Sequence, residues 1–129
     1  MFEKTTSEKI RQECSVIFDS ENLLGNCNAD FIAKYRKLFQ IKQIRLILDN
    51  SELLDSARVF MNNDLNITKA SKEGYMHRNT LIYRIEKIRR LVGLDIRKFK
   101  DAAVFENLIA FYEVVKNSNQ NQNNEIEWN

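Results

Sequence analysis

Apolar residues recur along the chain at the three- and four-residue spacing of helices, in blocks separated by short polar joints. Ile10, Cys14, Ile17 and Phe18 form the first block. Ahead of it, Thr5-Thr6-Ser7-Glu8 offers a capping box, in which the Thr5 hydroxyl accepts an amide hydrogen bond and Glu8 reaches back. A helix from about 6 to 19 follows. Asp19-Ser20-Glu21-Asn22 and Gly25-Asn26-Cys27-Asn28 read as turns. A second pattern opens near Asn28 or Asp30. It passes through Phe31, Ile32, Tyr35, Leu38, Phe39 and Ile41 or Lys42 to Leu46, Ile47 and Leu48, and predicts one amphipathic helix. Lys34, Arg36, Lys37, Lys42 and Arg45 fall on its other side. Packing within its own domain or against a dimer mate suits this helix better than a membrane surface. Asp49-Asn50-Ser51 then breaks the pattern and caps a helix from Glu52 to about Asn62, with Leu53, Leu54, Ala57, Phe60 and Met61 on one face.

The stretch from Asn66 to Leu91 has a different character. Thr68 to Glu73 is a short helix of small and charged residues, starting at Asn66 or Ile67, and Ala70 and Ser71 are its candidates for a close helix crossing. Gly74-Tyr75-Met76 is a tight joint. From His77 to Arg90 the chain is helical again, with Leu81, Ile85, Ile88 and Val92 as a core stripe. Val92-Gly93-Leu94-Asp95 stops that helix, with Gly93 placed to take the left-handed cap conformation. A last helix from about Asp101 to Lys116 carries Val104, Phe105, Leu108, Ile109, Phe111, Tyr112 and Val115. This wide stripe is expected to cover the helix-turn-helix, with an added contribution to a dimer seam as the second reading. The tail from Asn117 to Asn129 has 8 Asn and Gln among 13 residues and little to bury, so disorder is expected.

This order of elements predicts an all-α fold, a helical bundle containing a helix-turn-helix and preceded by N-terminal helices. Residues 1–50 form the N-terminal helical segment, a candidate dimerisation arm or remnant of a sensor region, 51–116 the helix-turn-helix domain and 117–129 the polar tail. A chain of 129 residues with 43% hydrophobic residues, no Pro and three Gly is long enough for one core built of helices.

The formal charge is only +2, but it is unevenly distributed. From Thr68 to Lys100 there are 10 Lys and Arg against 3 acids, and the remainder holds 10 against 15. Such asymmetry is the electrostatic footprint expected on a phosphate backbone. Cys14 and Cys27 form no C-x-x-C and have no neighbouring His, so they read as reduced thiols, and no metal site is suggested. With one His, no Gly-rich phosphate loop and no acid, base and nucleophile cluster, neither an enzyme nor a cofactor site is expected. No apolar run approaches a membrane span and the polar start is no signal peptide, so a cytoplasmic protein is expected.

On the second helix of the featured stretch, the face opposite the stripe carries Asn79, Tyr83, Glu86 and Arg90, with Thr80 and Lys87 beside it. His77, Arg78 and Asn79 lie in its first turn. Arg forks onto guanine O6 and N7 and Asn pairs with adenine N6 and N7, so these residue types at a helix start suit base reading. The candidate readers are therefore His77, Arg78, Asn79 and Tyr83. Thr68, Lys69, Thr80, Lys87 and Arg90 are candidate phosphate contacts, which position a protein without reading sequence. The bland readings stand beside these: His77 as a cap, Tyr83 as half-buried structure, and Arg89, Arg97 and Lys98 as a solvated face.

Met76-His77-Arg78-Asn79-Thr80-Leu81-Ile82-Tyr83-Arg84-Ile85, followed by Ile88 and Gly93-Leu94-Asp95, closely resembles the C-terminal helix-turn-helix of the PucR/CdaR family of bacterial transcriptional regulators, and more distantly Fis-type units. The resemblance spans about Leu53 to Val115. It implies a cytoplasmic regulator that binds double-stranded DNA as a dimer or larger assembly, and it names no small-molecule effector. Gly74 departs from the family, which usually has an apolar residue there. The sensing portion that normally precedes this domain is absent or reduced to the first fifty residues. A homodimer is expected, with the N-terminal helices and the last helix as candidate interface. The alternative is a helical interaction or dimerisation module that has lost DNA binding.

Overall fold

The computed structural model describes residues 5–18 and 29–128, with side chains described as far as Asn117. The elements are α1 (Thr6–Ile17), α2 (Ala29–Tyr35), a 3-10 turn (Arg36–Gln40), α3 (Lys42–Leu48), α4 (Ser51–Asn62), α5 (Ile67–Glu73), α6 (Arg78–Val92) and α7 (Phe99–Trp128). No strand occurs among the described residues, and the fold is all-α. The turns expected between Asp19 and Asn28, and Cys27 with them, lie outside the described residues.

The capping box at the start of α1 is present in full: the Thr5 hydroxyl accepts from the Glu8 amide at 3.2 Å, and the Thr5 amide donates to the Glu8 carboxylate at 3.1 Å. Ile10, Cys14, Ile17 and Phe18 are buried. Burial, with Glu13 adding to it, pushes the Cys14 thiol up to about 12, which keeps it protonated and unreactive at neutral pH.

Residues 29–48 do not form the single helix that the pattern predicts. The buried residues there are Phe31, Leu38, Phe39, Ile44, Ile47 and Leu48. On one straight helix turning about 100° per residue, Ile44 and Ile47 would face away from Phe31 and Leu38, and Leu48 from Phe39. The 3-10 turn and the extended Ile41 (φ −69°, ψ 124°) re-aim the second half, so that both sets reach one core. Ile44 is buried in place of Leu46, which is 48% exposed.

One buried cluster joins all the elements, from Ile10 in α1 to Val115 in α7. At its centre is α6, which packs against α1, α3, α4 and α5. Leu81, Ile85, Ile88 and Val92 of its stripe are fully buried. Each such side chain contributes roughly 1.5–3 kcal/mol through burial. Gly93 ends α6 with φ 77°, the left-handed cap that the sequence suggests. A Cβ there would also lie 2.5 Å from the Ser7 carbonyl oxygen, so the same glycine lets α1 approach α6 closely.

The apolar stripe of α7 lies chiefly over α1 and residues 29–40, in contrast to the expected cover for the helix-turn-helix. Phe111 meets the rings of Phe18, Phe31 and Phe39 at 5.5–5.6 Å. Asn107 donates to the Phe18 carbonyl at the end of α1 at 3.0 Å. The helical backbone of α7 continues to Trp128, beyond the boundary near Lys116 where the apolar pattern stops. Helical hydrogen bonds are local and need no apolar partner, so the pattern marks only the packed part of the helix.

Candidate nucleic-acid interface

The helix-turn-helix is α5, a three-residue joint and α6. Asn66 caps α5 by accepting from the Lys69 amide at 3.0 Å. Ala70 and Ser71 are buried at the crossing, and the Ser71 hydroxyl is satisfied by the Thr68 carbonyl at 3.0 Å. Thr68 and Lys69 remain exposed.

The joint closes α5 with two hydrogen bonds, from the Met76 amide to the Ser71 carbonyl at 3.0 Å and from the Tyr75 amide to the Lys72 carbonyl at 3.2 Å. This is the Schellman pattern, whose left-handed position usually holds Gly. Here that position is Tyr75, at φ 50° and 96% exposed, while Gly74 sits one residue earlier at φ −84°. Gly74 leaves room for Met76: a Cβ on it would lie 2.8 Å from Cε at the end of that flexible side chain, 3.1 Å from the Ala70 carbonyl oxygen and 3.3 Å from Val59 Cγ1. Met76 folds back over the glycine, so the apolar side chain missing at position 74 is supplied from position 76.

Met76 in turn meets a polar strut. The buried Ser56 hydroxyl, on α4, donates to Met76 Sδ at 3.8 Å and accepts from Arg84 Nη1 at 3.0 Å. Arg84 also reaches Glu52 at 3.4 Å. Arg84 thus ties α6 to α4, whereas in the sequence it reads as one more cation. A polar residue flanked by Leu53, Leu54, Ala57 and Phe60 was the signal for Ser56.

His77 is the N-cap of α6, with Nδ1 accepting from the Asn79 amide at 3.1 Å. That hydrogen bond places the proton of the neutral ring on Nε2, leaving one outward donor. Arg78 and Asn79 follow in the first turn, exposed and without a side-chain partner among the described residues. Thr80 is half-buried beside them. Further along, the Arg90 guanidinium lies over the ring of Tyr83, two turns before it, 5.7 Å from the ring centroid, and Tyr83 is 58% exposed. Lys87 is half-buried and makes no ion pair among the described residues.

The far end of α6 is arranged differently. Glu86 accepts from Arg89 at 2.9 Å and from Arg97, and Arg97 also holds Asp95 at 2.8 Å. The hydrogen bonds from Arg89 and Arg97 hold the Glu86 carboxyl below its ordinary value, and Arg97 does the same for Asp95. The partnering acids raise Arg89 and Arg97 correspondingly. These two arginines are already matched within the chain.

Among the described residues no group of His, Cys, Asp and Glu could hold a metal ion, and no helix is long and apolar enough to cross a membrane.

The fold and this surface define a helix-turn-helix protein. Residues 53–107, somewhat under half of the chain, match the PucR C-terminal helix-turn-helix domain. Three Bacillus subtilis proteins are similar to this chain. The uncharacterised protein YxkF is 36% identical over 52% of this chain and 21% of its own length. The uncharacterised protein YsfB is 26% identical over 75% of this chain and 26% of its own length. The purine catabolism regulatory protein is 35% identical over 38% of this chain and 9% of its own length. The aligned part of this chain thus spans about a quarter or less of each of these relatives. No solved structure matches. The domain and the regulator among its relatives support a DNA-binding regulator in general terms.

Proposed function

We propose that this chain is a cytoplasmic, non-enzymatic transcriptional regulator that binds double-stranded DNA as a homodimer, with the N-terminal turn of α6 in the major groove. The observation that carries this reading is the contrast between the two sides of α6. One side is anchored by four fully buried side chains, and the other presents Arg78 and Asn79 with no partner among the described residues. In this reading His77, Arg78, Asn79 and Tyr83 face base edges. Thr68, Lys69, Thr80, Lys87 and Arg90 contact phosphates, which position the protein without reading sequence. Residues 51–116 form the DNA-binding unit, residues 1–50 are a dimerisation arm or the remnant of a sensor region, and the polar tail 117–129 stands outside it. Two copies would present their α6 helices to successive major grooves, roughly 34 Å apart.

The test is titration of fluorescent duplexes, one carrying a site selected from genomic DNA and one of random sequence. Arg78→Ala is expected to lose about 1–3 kcal/mol on the selected site and much less on the random one. Equal loss on both would remove the base-reading role. No binding of the unaltered chain to any duplex at low salt would favour the interaction module instead. The packing of Met76 over Gly74 counts against that second reading, because the unusual glycine is compensated within the joint.

A further inference from the structure

We propose that the face of α7 around Phe99 is the surface through which two copies of this chain pair, an inference that rests on the homodimer reading above. Phe99 stands 79% exposed at the start of α7, and a cleft opens on each side of it. One, of ≈ 410 Å³, lies between α1 and α7 and includes Arg11, Phe18, Lys100 and Val104. The other, of ≈ 350 Å³, lies between α7 and the turn after α4 and includes Met61, Leu65, Asp64 and Glu106. Phe99 lines both, so an exposed aromatic ridge stands beside hollows able to receive a second such ridge. A surface that carries both knob and hole is self-complementary, which a two-fold contact requires.

The charges agree with this arrangement. Lys100 lies on the first cleft, where Asp101 is already engaged by Arg11 at 3.9 Å and by the Asp95 amide at 2.9 Å. The second cleft is lined by Asp64 and Glu106 and by no cation. A two-fold axis passing by Ala103 runs the two α7 helices antiparallel and pairs positions equidistant from residue 103. Lys100 then faces the partner's Glu106, and Phe99 lies over the acidic cleft of the other copy. Ala103, at the axis, is small enough for the helices to approach closely.

Sedimentation equilibrium of the whole chain without DNA, over a concentration series, tests the proposal. The unaltered chain is expected to dimerise, and Phe99→Glu to weaken the dimer at least ~30-fold, as loss of a central aromatic anchor does. Because Phe99 is exposed, the melting temperature of the variant monomer should stay close to that of the unaltered chain. Should that variant fold poorly, the exposed charges decide: Lys100→Glu and Glu106→Lys should each weaken the dimer, and the two together should restore it. A dimer that Phe99→Glu leaves intact would overturn this surface while the homodimer reading stands. A monomer at every concentration would overturn both. Failure of the charge exchange to restore pairing would overturn the two-fold arrangement about Ala103.

Discussion

At its N-terminal end α6 carries Arg78, exposed and without a side-chain partner among the described residues, about half a turn from a half-buried Thr80, and Lys87, about two and a half turns on, makes no ion pair among them either. At the C-terminal end Arg89 and Arg97 are clasped by Glu86 and Asp95. In the sequence both ends contribute alike to the basic surplus. In the structure Arg89 and Arg97 are matched, whereas Arg78, Lys87 and Arg90 make no ion pair among the described residues, and only unmatched cations displace counterions from a duplex without first breaking a bond within the protein. The far end serves the fold: it closes α6, seats α1 on Gly93 and ties the linker to the helix.

The contrast makes substitutions at the two ends separable. The largest effect is expected from Gly93→Ala. A left-handed backbone at a residue with a side chain costs on the order of 1–3 kcal/mol, and the new Cβ would also press on the Ser7 carbonyl. Urea unfolding should show that loss, while duplex affinity measured well below the midpoint should change little. A neutral effect on stability would mean that α1 does not rest on this glycine.

A smaller effect separates the cations themselves. Lys87→Ala should weaken binding to every duplex and lower the slope of log K against log salt by about 0.9, the value for one phosphate contact. Arg89→Ala should leave that slope unchanged. If both variants flatten the slope equally, the division between the two ends is wrong.

The smallest expected effect concerns acid. Glu86 and Asp95 have folded values below their unfolded ones, so their contribution to stability is fully present above the ordinary carboxylate range of about pH 4. It is lost as pH falls through the lowered folded values. Arg97→Ala should therefore lower the melting temperature slightly at neutral pH, and the difference should close below about pH 4. A gap that persisted in acid would mean that Arg97 acts through packing instead of charge.

Much of this architecture is local and therefore readable along the chain. The capping box at Thr5, the cap at Asn50, the stripe of α6 and the left-handed Gly93 depend on residues within a turn or two of each other. The exposure of Arg78 and Asn79 follows from the helical register of that stripe. The break after Tyr35 was hidden because Phe31, Tyr35, Leu38 and Phe39, and again Ile44, Ile47 and Leu48, each keep a helical spacing by themselves, while the direction of the core is set by elements elsewhere. Ser56 and Arg84 were unreadable as a pair, since 28 residues separate them and only the packing of α4 on α6 brings Oγ and guanidinium to 3.0 Å.

By itself, then, the sequence determined the helices of the helix-turn-helix, the buried stripe that orients the second one and the residue types offered at its start. Tertiary structure decided which of the basic side chains of α6 are paired with acids. It also explained Gly74, by folding Met76 onto it, and it placed Tyr75 in the left-handed position of the joint. The physical reason is range. Capping and helical period act over a few residues, whereas pairing of charges and filling of space depend on which distant elements the core brings together.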